Sequence, residues 1–179
     1  MSDDQVMPGS AIVRANVALT GVFALTAAYA AISFTTAAQW VGAVTAMSLF
    51  TIGVFAFLWS YWNAVQRSRT DEIAVSQLYL LMGPAIPRRV RLVMSATLVA
   101  QFAIAAITTV ARPDGPDGNP GSSLAVGFLV PMLGFGMNGL WAVSHGSFGP
   151  RQDVLPRPGD VAEIDTADAA QIGQNADHG

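Results

Sequence analysis

Residues 15–66 read ANVALTGVFALTAAYAAISFTTAAQWVGAVTAMSLFTIGVFAFLWSYWNAVQ, 52 positions without one Asp, Glu, Lys or Arg. A bilayer core takes about 20 apolar residues per spanning helix. The stretch is therefore long enough for two spans and a turn, expected at 12–34 and 41–63. Between them Thr35, Thr36, Ala37, Ala38, Gln39 and Trp40 are polar enough for a tight turn, with Trp40 suited to a membrane interface. A soluble bundle is the competing reading. It fails because a soluble helix needs a polar face, and this stretch has none.

Two further charge-free runs lie outward from this one, at 92–111 and 118–150. Each holds one span, expected at 90–111 and 123–144. Arg88, Arg89 and Arg91 abut the start of the third span, and Arg112-Pro113 stops it. The expected fold is thus all-α, a four-helix transmembrane bundle. Over the whole chain 52% of residues are hydrophobic and 12% charged, against about a quarter charged in soluble domains. Ala28-Tyr29-Ala30 fits a signal-peptidase site. Asp3 and Asp4 spoil the basic leader such a peptide needs, so the first span is read as retained.

Arginine placement sets the expected orientation. All nine basic residues are Arg, and Arg67, Arg69, Arg88, Arg89 and Arg91 lie between spans two and three. The first connection has none and the third has Arg112 alone. Both termini and the middle connection are therefore expected in the cytoplasm of a cell-membrane protein, with those five arginines at the membrane surface near anionic headgroups. Within the middle connection Ser68 or Thr70 can cap a short helix at about 70–82, with Asp71 and Glu72 in its first turn. Ile73, Val75, Leu78, Leu81 and Met82 recur near helical period, and Gly83-Pro84 ends it. The stretch 112–122 repeats Pro-Asp-Gly turn chemistry. Asp114, Asp117 and Asn119 do not have EF-hand spacing. The segment 145–179 forms a tail. From about 151 it is acidic and free of aromatic residues, so it cannot bury enough surface to order itself.

The charge map excludes more chemistry than it suggests. No Asp, Glu, Lys or Arg lies deep in a span, which disfavours proton relays and ion-coupled carriers. Cysteine is absent, removing thiolate metal sites and Cys nucleophiles. His145 and His178 are the two histidines, and His178 sits in the tail, so neither bis-His haem nor a zinc site can be assembled. No phosphate loop, dinucleotide fingerprint or nucleophile elbow appears. A net charge of −3 gives no field for nucleic acid. No catalytic residue, metal or cofactor is expected.

The fourth span carries the most distinctive pattern. Gly127, Pro131, Gly134, Asn138, Trp141 and His145 recur at alternating four- and three-residue steps, so they share one helix face. Gly127, Pro131, Gly134 and Asn138 read as a helix-packing stripe, with a kink at Pro131 and with Gly136 and Gly139 loosening the helix. Asn16 in span one is the best depth match for Asn138, and Gln101 is within reach only with tilt. The alternative to packing is a cytoplasm-facing polar pocket of Asn16, Asn63, Asn138, Trp141 and His145. Trp59, Tyr61 and Trp62 read as an aromatic belt.

Two stretches, 63–75 (NAVQRSRTDEIAV) and 129–148 (LVPMLGFGMNGLWAVSHGSF), resemble a group of small multi-pass membrane proteins of actinobacteria, mycobacteria among them. The resemblance spans about 12–150 and leaves out the acidic tail. It implies membrane placement and lineage, and no activity or site residues. The expected function is an accessory or scaffold subunit, without catalysis, of a cell-envelope or respiratory membrane assembly. Its partners would be the lipid bilayer and a larger membrane protein or further copies of itself. The alternative is a small permease or lipid-handling protein using the polar pocket.

Overall fold

A computed structural model describes residues 9–68, 74–82, 86–118 and 122–148. The acidic tail, Arg69 and the helix start expected at 70–73 lie outside the described residues. Every regular element among the described residues is helical: α1 (Ser10–Ser33), α2 (Thr36–Arg67), α3 (Val75–Tyr79), α4 (Arg88–Ala111), a 3-10 segment (Ser123–Leu129) and α5 (Pro131–His145). Among the described residues four spans are long and apolar enough to cross a membrane: α1, α2, α4 and the composite of the 3-10 segment with α5.

The first turn is tighter than expected. Only Phe34 and Thr35 separate α1 from α2. Phe34 takes the left-handed conformation (φ 45°) that closes a helix C-terminus. The Thr35 hydroxyl accepts from the Ala38 amide at 3.2 Å and opens α2. Residues 36–40, expected in the turn, are therefore helical. At its other end α2 runs four residues past the expected boundary and reaches about 48 Å at 1.5 Å per residue, well beyond a hydrocarbon core of about 30 Å.

The fourth span is wound in two ways. Its first seven residues form a 3-10 helix, and α5 begins with Pro131 in its first turn. Proline fits there because the first amides of a helix have no intrahelical acceptor to lose. The expected kink is thus a change of helix type.

Two parallel pairs make up the bundle. α1 and α4 run side by side in one register: Asn16 bonds to Thr97, Thr20 to Gln101 and the Ala31 carbonyl to Arg112, each 81 residues apart. α2 and α5 also run parallel, meeting from Gly53 and Leu133 at one level to Arg67 and Val143 at another. α5 packs on α1, α2, α3 and α4, whereas α2 and α4 share no substantial interface and stand across the diagonal. Accordingly 67% of the fourth span's apolar window is buried, against 22–28% in the other three.

The diagonal explains the middle connection. To pass from α2 to α4 the chain must cross beneath the bundle, as in bundles with one long crossover. Leu78, Tyr79, Leu81 and Ile86 are buried by that crossing, while Val75 and Met82 face outward. α3 is shorter than expected, five residues. Ser68 does not cap it; it ends α2, its hydroxyl donating to the Val65 carbonyl at 2.7 Å.

Candidate functional site

The five residues of the expected polar pocket have partners on different elements. Asn138 is 1% exposed, and its Nδ2 donates to the Tyr79 carbonyl at 2.9 Å. It therefore ties α5 to the crossover. Asn16 is fully buried and donates to Thr97 Oγ1 at 2.8 Å, with Met94 Sδ at 3.5 Å. Gln101, also fully buried, donates to Thr20 Oγ1 at 2.8 Å and lies 3.5 Å from Asn16 Oδ1. Asn16 thus faces α4, because the parallel register brings Thr97 to its depth. Gln101 needs no tilt to join it.

Asn63 is half-buried and donates to the Trp59 carbonyl of its own helix at 2.8 Å. Trp141 is fully buried and stacks on His145 with ring centroids 5.7 Å apart. His145 itself is exposed at the end of α5. Gly9, just before α1, lies over the same indole: a Cβ built there would stand 2.7 Å from Trp141 Cδ1. Trp141 and His145 form one stacked pair at the Arg-rich end, Asn16 belongs to the α1–α4 seam, and Asn63 turns back on α2.

The stripe residues of the fourth span sit in close quarters. A Cβ on Gly127 would lie 3.2 Å from Phe23 Cζ and 3.6 Å from Ala105 Cβ. One on Gly134 would lie 2.7 Å from Leu98 Cδ1 and 2.8 Å from Gln101 Oε1. Pro131 is buried. A second glycine row, Gly136 and Gly139, faces the opposite way, onto α2. A Cβ on Gly136 would strike the Gly53 carbonyl, and one on Gly53 would stand 2.6 Å from Leu133 Cα. A Cβ on Gly139 would collide with Ser60 Oγ and lie 2.8 Å from Tyr79 Cε1. Gly136 and Gly139, expected to loosen the helix, are where α2 comes closest. The signal was available in α2, where Gly42, Ala46, Gly53, Ser60 and Ala64 form a small-residue face at helical spacing.

Two arginines hold helix ends. Arg67 Nη1 donates to the Val143 carbonyl at 2.8 Å, and its guanidinium lies 5.4 Å from the Phe148 ring centroid. Arg112 Nε donates to the Ala31 carbonyl at 3.2 Å and sits 4.4 Å from the Phe34 ring centroid. Each puts a positive charge at the negative end of a neighbouring helix. Arg88 and Arg89 are exposed at the start of α4, and Arg91 is half-buried.

Among the described residues, cavities flank α2 at both ends. An apolar groove of about 380 Å³ lies between α2 and α3, with Phe57, Tyr61, Val65, Val75, Leu78 and Tyr79 among its walls. A second, of about 250 Å³, lies at the turn end beside Gln39 and Ser123. Gln39 lies in α2 and not in the expected turn. It is 6% exposed, and its Oε1 accepts from Ser123 Oγ at 2.8 Å. No family model, curated protein or solved structure matches the chain.

Proposed function

We propose that this chain is an accessory or scaffold subunit, without catalysis of its own, of a larger cell-envelope or respiratory membrane assembly. Both its ends and its Arg-rich crossover would lie in the cytoplasm. The observation that carries the reading is the division of labour between inside and outside. Asn16, Gln39, Gln101 and Asn138, the amides buried in the described spans, are tied to neighbouring elements of the same bundle. Apolar side chains cover the outside of the spans, and the outer surface of α2 adds aromatic ones: Phe55, Leu58, Trp59 and Trp62 are 55–69% exposed. Such a row suits a neighbouring apolar helix, and its tryptophans suit an interface. The concentration of arginine at the crossover end supports the cytoplasmic placement.

Isolation of the tagged chain from its native membrane in mild detergent tests the proposal. A second protein in fixed stoichiometry is the expected result. Recovery of the chain alone, or only as a homodimer, sinks it.

A further inference from the structure

We propose that the crossover is a re-entrant segment: it turns back into the leaflet on the arginine-rich side and sets Val75, Leu80 and Met82 among the acyl chains of phospholipids. This holds whether or not the chain serves a larger assembly. Depth carries the argument. Trp40, Trp59 and Trp62 are each about two-thirds exposed on α2. Along the helix axis Trp40 lies about 29 Å from Trp59 and about 33 Å from Trp62, which matches a hydrocarbon core of about 30 Å. Trp59 and Trp62 therefore mark the interface on the crossover side. Arg67, where α2 ends, lies about 10 Å beyond Ser60. The crossover comes back over that distance. The Tyr79 ring stacks on Phe57 with centroids 4.4 Å apart, Tyr79 Cε1 and Ser60 Oγ both lie against Gly139, and the Tyr79 carbonyl meets Asn138. Tyr79 thus sits at the depth of the tryptophans and not at the level of Arg67.

What faces outward at that depth is apolar. Residues 73–87 hold no charged side chain. Val75 is 73% exposed, Leu80 44% and Met82 55%. Leu81, between the last two, is fully buried in a left-handed conformation (φ 53°) that leucine rarely adopts. Val75 also joins Leu58, Tyr61 and Val65 of α2 around the groove of about 380 Å³, so the face is continuous with the lipid-facing side of the span. In water it would be an exposed apolar patch of the kind soluble surfaces avoid. The backbone suits the same setting, since an unpaired main-chain group near hydrocarbon is costly. The Ala74 amide donates to Gln77 Oε1 at 3.3 Å. The Leu80 and Met82 amides donate to the Ser76 carbonyl at 3.1 and 3.3 Å, and the Tyr79 carbonyl accepts from Asn138. Arg88 and Arg89, exposed where α4 begins, suit the phosphates above the acyl chains.

The test uses the full chain, which has no native cysteine, with one spin-labelled thiol at a time from Val75→Cys, Leu80→Cys and Met82→Cys. Each variant is placed in nanodiscs of phosphatidylethanolamine and phosphatidylglycerol, open to water on both faces. Electron paramagnetic resonance reads collisions of the label with molecular oxygen, which concentrates among acyl chains, and with a neutral water-soluble nickel chelate. Leu25→Cys, on the exposed face of α1 within the span, and Asp117→Cys, at an exposed turn, set the lipid and water references. The oxygen-to-nickel ratio at all three crossover sites is expected to be several-fold above that of Asp117→Cys and below that of Leu25→Cys. A ratio equal to that of Asp117→Cys puts the crossover in water and overturns the proposal. Few collisions with either probe mean that protein, such as a second copy of the chain, covers the face, and overturn it as well. The substitutions fall on exposed side chains at three separate sites, so a local defect at one cannot decide the result.

Discussion

At Gly53 and Gly136 the backbones of α2 and α5 touch through positions where any side chain would intrude. A Cβ on Gly53 would stand 2.6 Å from both Leu133 Cα and the Met132 carbonyl carbon, and neither can move without shifting a helix. Gly53→Ala should therefore destabilise the bundle by about 1–3 kcal/mol, the usual cost of overpacking. Gly21 is the control. It lies mid-helix in α1, with nothing within 4 Å of its would-be Cβ. Alanine there should leave stability unchanged or raise it by up to about 1 kcal/mol. Unfolding of both variants in detergent micelles checks the pair. Equal effects would mean that α2 and α5 do not meet at Gly53. Glycine's role at these two sites could not be read from composition, because the same residue type serves as a contact in one helix and as plain lipid-facing surface in another.

The elements are joined by different means in the two parallel pairs. α2 and α5 rely on small residues and close backbones, while α1 and α4 are joined by side-chain hydrogen bonds in a fixed register. A double-mutant cycle on Thr20→Ala and Gln101→Ala should return a coupling of about 0.6 kcal/mol, the average for hydrogen bonds between membrane helices, and no more than about 1.7 kcal/mol. A coupling indistinguishable from zero would remove the seam. The existence of these helices was legible in the sequence, since long gaps between charges leave few alternatives to spans. Their pairing was not. Asn16 could be assigned a depth but not a direction, and depth alone made Asn138 its match. Direction depends on how α1 is rotated against its neighbours, which is decided by packing on every side at once. The polar turn expected at 35–40 failed for a local reason: Thr35 caps a helix, so the residues after it, Gln39 included, are drawn into α2.

Across the whole molecule, α2 and α4 stand on a diagonal, the connection between them crosses beneath the bundle, and the crossing buries Leu78, Tyr79 and Leu81. That burial supplies the carbonyl that engages Asn138. The residue with the best claim to line an open pocket is thus closed over by the chain's own crossover. Asn138 fastens the bundle and does not meet the solvent. Because the chain contains no cysteine, a single introduced thiol reports cleanly. The decisive measurement is labelling of Asn138→Cys and His145→Cys, one at a time, in native membrane vesicles with a membrane-impermeant thiol reagent offered to each face. His145→Cys, at an exposed position, should react quickly and only from the cytoplasmic face, while Asn138→Cys should stay unlabelled from both. Labelling of Asn138→Cys at a rate close to that of His145→Cys would contradict the account and restore the open pocket.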